Sequence, residues 1–88
     1  MTIRRQHNKS TEELKQIIDK IAVNLSNDLG LDYKWKGERL EFYRTGVNGS
    51  INVEPEELVV KVNKSFFIPI SDSTIRTKVE EYFDAYLG

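Results

Sequence analysis

No cysteine occurs in this chain, which excludes disulfides, thiol nucleophiles and thiolate metal sites. Histidine occurs once, at His7, so no cluster of histidines can assemble around a metal within one chain. The two prolines, Pro55 and Pro69, and five glycines are too few for a low-complexity tract or a linker. Neither sign of charge dominates. Thirteen basic side chains are interspersed with 14 acidic ones, for a net charge of -1. A nucleic-acid binder usually shows a clearly basic domain or face, so that class is disfavoured. No apolar run approaches the roughly 18 residues of a membrane span. Residues 1–7 hold two arginines with no apolar stretch of a secretory signal behind them. A cytoplasmic chain is the expectation.

What is present is the composition of a folded domain. With 39% hydrophobic and 31% charged residues, the 88 positions suit one soluble globular domain over residues 1–88. A chain of this length buries roughly 60–65% of the surface its unfolded form exposes. That suffices for one layer of sheet and one of helix.

Residues 2–6 alternate Ile3 and Arg5 with Thr2, Arg4 and Gln6, a short first strand. Ser10 then stands three residues before Glu13, the spacing at which a helix start caps its own free N–H groups. Leu14, Ile17, Ile18, Ile21, Ala22, Leu25 and Leu29 follow on one stripe, and Gly30 supplies a left-handed stop. This predicts a helix over residues 11–29, about 28 Å long. Leu31, Tyr33 and Trp35 alternate with Asp32, Lys34 and Lys36, and Lys36-Gly37-Glu38 turns the chain toward Leu40 and Phe42. Residues 45–49 are dense in turn formers. Asn48-Gly49 is the strongest hairpin signal among them, though composition leaves open where the turn sits. Ile51 and Val53 point inward, Glu54-Pro55-Glu56-Glu57 turns, and Leu58, Val60 and Val62 point inward again, with the strand running on toward Phe66. After Pro69, Ser71-Asp72-Ser73 offers caps for a last helix carrying Ile75, Val79, Tyr82, Phe83, Tyr86 and Leu87. The order β-α-β-β-β-β-α predicts an α+β two-layer sandwich: an antiparallel sheet with both helices packed on one face.

The residues of catalysis are not arranged for it. His7 has Arg4, Arg5 and Lys9 near it in sequence, which disfavours both metal binding and an imidazolium, and it reads as a polar residue before a helix cap. Glu12 and Glu13 suit the first turn of a helix, while Glu54, Glu56 and Glu57 flank a wet turn. Glu80, Glu81 and Asp84 belong to the solvated side of the last helix. Gly46 and Gly49 match no phosphate-loop spacing. No catalytic residue, metal ligand or cofactor site is expected, and so no enzyme. Arg4, Arg5, Lys34, Lys36, Arg39 and Arg44 could gather at one sheet edge near Trp35 and Tyr43, but alternation gives Trp35 to the core.

One segment does not fit the needs of a small core: Phe66-Phe67-Ile68-Pro69-Ile70, five apolar residues in a row. Pro69 cannot donate to a strand ladder, so the chain leaves the sheet there. The segment either seals the core beneath the last helix or offers an apolar patch to a partner. Alternation places Phe67 outward, beside Tyr43 and Val59 on the otherwise polar face. The expected apolar contact comprises Phe66, Phe67, Ile68 and Ile70, with Tyr43 and Val59.

The succession Ile3-Arg4-Arg5-Gln6-His7, Gly30-Leu31-Asp32-Tyr33-Lys34-Trp35-Lys36-Gly37 and Leu40-Glu41-Phe42-Tyr43-Arg44-Thr45-Gly46-Val47-Asn48-Gly49 resembles the polyhydroxyalkanoic acid system family, small bacterial proteins of the granule-region type. The likeness spans nearly the whole chain and is weakest after Lys64. It implies a non-enzymatic accessory protein that binds polyhydroxyalkanoate granules or a granule protein, and it carries over no catalytic residue and no cofactor. The alternative is a small homodimeric interaction or ligand-binding module. The element order also resembles TATA-binding-like and helix-grip folds, a likeness that carries no function by itself.

Overall fold

The first helix begins at its expected cap. The Ser10 hydroxyl accepts a hydrogen bond from the Glu13 N–H at 3.2 Å, and Gly30 ends the helix at φ 67 with its own N–H donating to the Ser26 carbonyl. The computed structural model describes residues 1–65 and 70–87. Its elements are β1 (Thr2–Gln6), α1 (Thr11–Leu29), β2 (Asp32–Lys36), β3 (Arg39–Arg44), β4 (Val47–Val53), β5 (Glu57–Lys64) and α2 (Asp72–Leu87). The expectations placed on Phe66, Phe67, Ile68 and Pro69 lie outside the described residues.

The five strands form one antiparallel sheet in the order β1-β5-β4-β3-β2, so the chain is an α+β fold with the expected element order. Short turns join β2 to β5 as a meander. β1 closes the far side by pairing with β5, Ile3 opposite Val60, and α1 carries the chain from that edge to the other. This order corrects one expectation. Arg4 and Arg5 stand on one edge strand and Lys34 and Lys36 on the other, so the basic residues do not gather at a single edge.

The turn within residues 45–49 is Thr45-Gly46, since Arg44 pairs with Val47 and Gly46 takes φ 84. Asn48-Gly49 lies inside β4, despite its local turn preference. Gly49 pairs with Phe42 on one side and Val62 on the other, and a Cβ there would stand 2.2 Å from the Lys61 carbonyl oxygen and 2.6 Å from the Phe42 ring. The glycine supplies close approach within the sheet, not a turn.

One face of the sheet carries the core. Leu40, Phe42, Ile51, Val53, Leu58, Val60 and Val62 form a single cluster with Leu14, Ile18, Ile21 and Ala22 of α1 and Phe83 of α2. Tyr33 and Trp35 are half-buried, as befits side chains on an edge strand. The Trp35 indole N–H donates to Asp19 at 3.1 Å, and the Lys15 ammonium lies 5.3 Å from its ring centre.

Polar contacts fasten α2, whose apolar stripe places only Phe83 fully inside. Ser71 caps its start, accepting from the Thr74 N–H at 3.2 Å. Arg5 pairs with Asp84, and the Asn24 amide donates to the Tyr86 hydroxyl. The Tyr82 hydroxyl donates to Asp28 at 2.9 Å. Partial burial, then the hydrogen bond and charge of Asp28, with Tyr86 and Glu81 adding less, hold the Tyr82 phenol above its ordinary 10.0. A phenol titrating higher in the folded state contributes stability that is complete below about pH 10 and is lost as pH rises through the folded value. The stability advantage of the native chain over Tyr82→Phe should therefore hold from pH 7 to 9 and shrink above pH 10. Urea unfolding across that range measures it, and a constant difference would show that the Asp28 contact does not act on the phenol.

Among the described residues no helix is long and apolar enough to cross a membrane.

Candidate functional site

Several elements reach one end of the molecule: the close of α1, the start of β2, the β3–β4 turn and the end of β5. Three exposed apolar side chains belong to that end. Leu29, at the last turn of α1, is 39% exposed, and its carbonyl accepts from the Arg44 guanidinium at 2.7 Å, which ties it to the β3–β4 turn. Tyr43, opposite Asp32 and Asn48, is 45% exposed. Ile70 is 37% exposed and lies two residues before Asp72, whose carboxylate is 3.6 Å from the Lys64 ammonium at the end of β5. A shallow depression of about 370 Å³ lies between Tyr43, Val47 and Lys64.

The expected contact residues are thus placed unequally. Tyr43 and Ile70 are at this end and accessible. Val59 does lie on the face away from the helices, between Arg4 and Asn52, yet it is only 2% exposed and offers no surface of its own. Phe66, Phe67 and Ile68 lie outside the described residues. Leu29 was legible only as part of a helix stripe, and the signal that it leaves the core is its place beside the Gly30 stop, one turn past Leu25.

The outer face of the sheet is polar and organised in lanes. Down its middle runs β4, presenting the small side chains Asn48, Ser50 and Asn52. On one bank stand Lys61 and Asn63 of β5, and on the other Arg39, Glu41 and Tyr43 of β3. The result is a cradle of about 360 Å³. Glu41 holds Lys36 at 3.4 Å and Arg39 at 3.6 Å, whereas Lys61 enters no ion pair among the described residues. The cradle and the depression at the apolar end share Tyr43, Asn48 and Asn63 and so form one continuous track.

His7 is a structural tie. Its Nδ1 accepts from the Lys9 N–H at 3.1 Å and its Nε2 donates to the Glu54 carbonyl at 2.7 Å, an arrangement that fixes the tautomer and joins the α1 approach to the β4–β5 turn. Arg4 pairs with Glu57 at 2.7 Å on the outer face. Among the described residues no three histidine or acidic side chains converge as metal ligands.

A family model described as "Putative polyhydroxyalkanoic acid system protein" matches residues 1–87, and the chain belongs to that family. No curated protein and no solved structure matches it.

Proposed function

We propose that this member of the polyhydroxyalkanoic acid system family is a non-enzymatic accessory protein of the cytoplasm that attaches to polyhydroxyalkanoate granules, or to a protein on them, through its apolar end. The observation that carries the reading is the exposure of Leu29, Tyr43 and Ile70 at one end of the domain, where β5 leads into the apolar residues 66–68. Each exposed side chain alone would be ordinary, but three at the end where β5 stops make a contact surface. The lysine and arginine nearest them are engaged, Lys64 by Asp72 and Arg44 by the Leu29 carbonyl, so attachment rests on apolar area.

Co-sedimentation with polymer granules at low and high salt tests this. Binding should survive high salt and fall about tenfold in Ile70→Ser, in keeping with the loss of one buried aliphatic side chain. Phe67→Ser should act in the same direction without unfolding the domain. Binding that vanishes with salt, or a concentration-independent dimer that buries Leu29 and Tyr43, would instead assign this end to another use.

A further inference from the structure

We infer that the cradle along β4 receives the carboxylate end of a hydroxyalkanoate chain, an inference that rests on the granule reading above and extends it to the opposite bank of Tyr43. A polyhydroxyalkanoic acid is a polyester: along its length it offers ester oxygens, which accept hydrogen bonds, and it ends in a hydroxyl on one side and a carboxylate on the other. Away from the Glu41 carboxylate, the lane offers donors from Ser50, Lys61 and Asn63. The Ser50 hydroxyl accepts a weak contact from the Asn52 amide at 3.5 Å and keeps its own hydrogen to give. The Asn63 amide reaches Asn48 at 3.4 Å, a long contact that a better acceptor would replace. The ladder places Ser50 directly beside Lys61; of the two cations that line the cradle, Arg39 is held by Glu41 and Lys61 enters no ion pair among the described residues.

Charge decides the direction of the chain. By register the outer face carries Arg4, Lys34, Lys36, Arg39 and Lys61 against Asp32, Glu41 and Glu57, five cations to three acids. The whole chain has 13 to 14, which leaves eight to 11 elsewhere, so the sheet face is the positive side of an acidic molecule. Within the cradle Glu41 occupies Arg39 and repels an anion from the β3 bank, which leaves Lys61 to take the carboxylate. Because the cradle continues into the apolar end through Tyr43, a chain terminus leaving a granule surface there has a donor-lined path of two or three strand positions to Lys61.

Amide chemical shifts report the test. The ligands are a trimer of 3-hydroxybutyrate with a free carboxylate, the methyl ester of that trimer, and an eight-nucleotide thymidine strand. The free acid should shift Asn48, Ser50, Lys61 and Asn63, and bind about tenfold more tightly than its ester, as a charge-assisted hydrogen bond requires. Lys61→Gln should abolish that preference while leaving salt-resistant granule binding in place. Equal shifts from acid and ester, shifts confined to other faces, or tighter binding of the thymidine strand would overturn the inference. Granule binding without trimer binding would end this inference alone. Trimer binding without granule attachment would end the apolar-end reading.

Discussion

Phe83→Ala should lower the unfolding free energy by about 3–5 kcal/mol, the cost of emptying a large buried aromatic site. Phe83 is 1% exposed and is the one residue of α2 wholly inside the core, where it joins the cluster of α1 and the sheet. The rest of the helix is half-buried or exposed and is held by surface pairs such as Arg5–Asp84, which contribute little each. Since a domain of this size has about 5–15 kcal/mol in total, the loss is at least about a fifth of the margin and at the low end nearly all of it. Thermal unfolding followed by circular dichroism should show a Tm lowered by at least about 12 °C, and α2 should gain hydrogen exchange before the sheet does. Phe83→Leu, which keeps most of the volume, should lose far less. A loss below about 1 kcal/mol in Phe83→Ala would mean that α2 docks by its polar pairs instead, contrary to their usual worth.

Gly49→Ala should be destabilising by about 2–3 kcal/mol, in spite of adding only one methyl group to a strand. The added Cβ would meet two neighbours of different stiffness. The Phe42 ring, at 2.6 Å, can swing away, but the Lys61 carbonyl oxygen at 2.2 Å belongs to the β5 backbone. Relief at the second contact requires β4 and β5 to part where Gly49 pairs with Val62. The double variant Gly49→Ala, Phe42→Leu should therefore recover only part of the loss. Full recovery would place the whole conflict at the ring, and unchanged stability in Gly49→Ala would show that the strands separate freely.

Asn48-Gly49 shows where local reading reaches its limit. By residue type it is a better hairpin turn than Thr45-Gly46, and within the segment nothing local disqualifies it. The choice is made by contacts four or more residues away: with the turn at Thr45-Gly46, the Phe42 ring and the Lys61 carbonyl both close on a residue that has no side chain. Strand register follows the arrangement that buries Phe42, and the turn preference yields to it. Val59 teaches the same lesson from the other face. Alternation assigned it correctly to the outer side, but alternation describes direction and not cover, and burial there depends on neighbours from β1 and β4.

The candidate site was half legible. Tyr43 and Ile70 stood out as apolar residues that the core did not need, and both are accessible at one end. Leu29 did not, because a residue on the apolar stripe of a helix looks alike whether the stripe ends under the sheet or beyond it. Lys61 and Ser50 read as ordinary solvent-facing residues, and only the pairing of β4 with β5 sets them side by side.

What the amino-acid sequence determined alone was everything that depends on near neighbours: the Ser10 cap and Gly30 stop of α1, the alternation that sorts the sheet into an apolar and a polar face, and the class of fold. Capping bonds and side-chain periodicity act over a few residues, so their record is kept in local order. The tertiary structure decided the pairing of β1 with β5, the separation of the basic residues onto opposite edges, the role of Gly49, and the meeting of Tyr82 with Asp28. Those depend on which distant segments leave water together, and no local spacing records that choice.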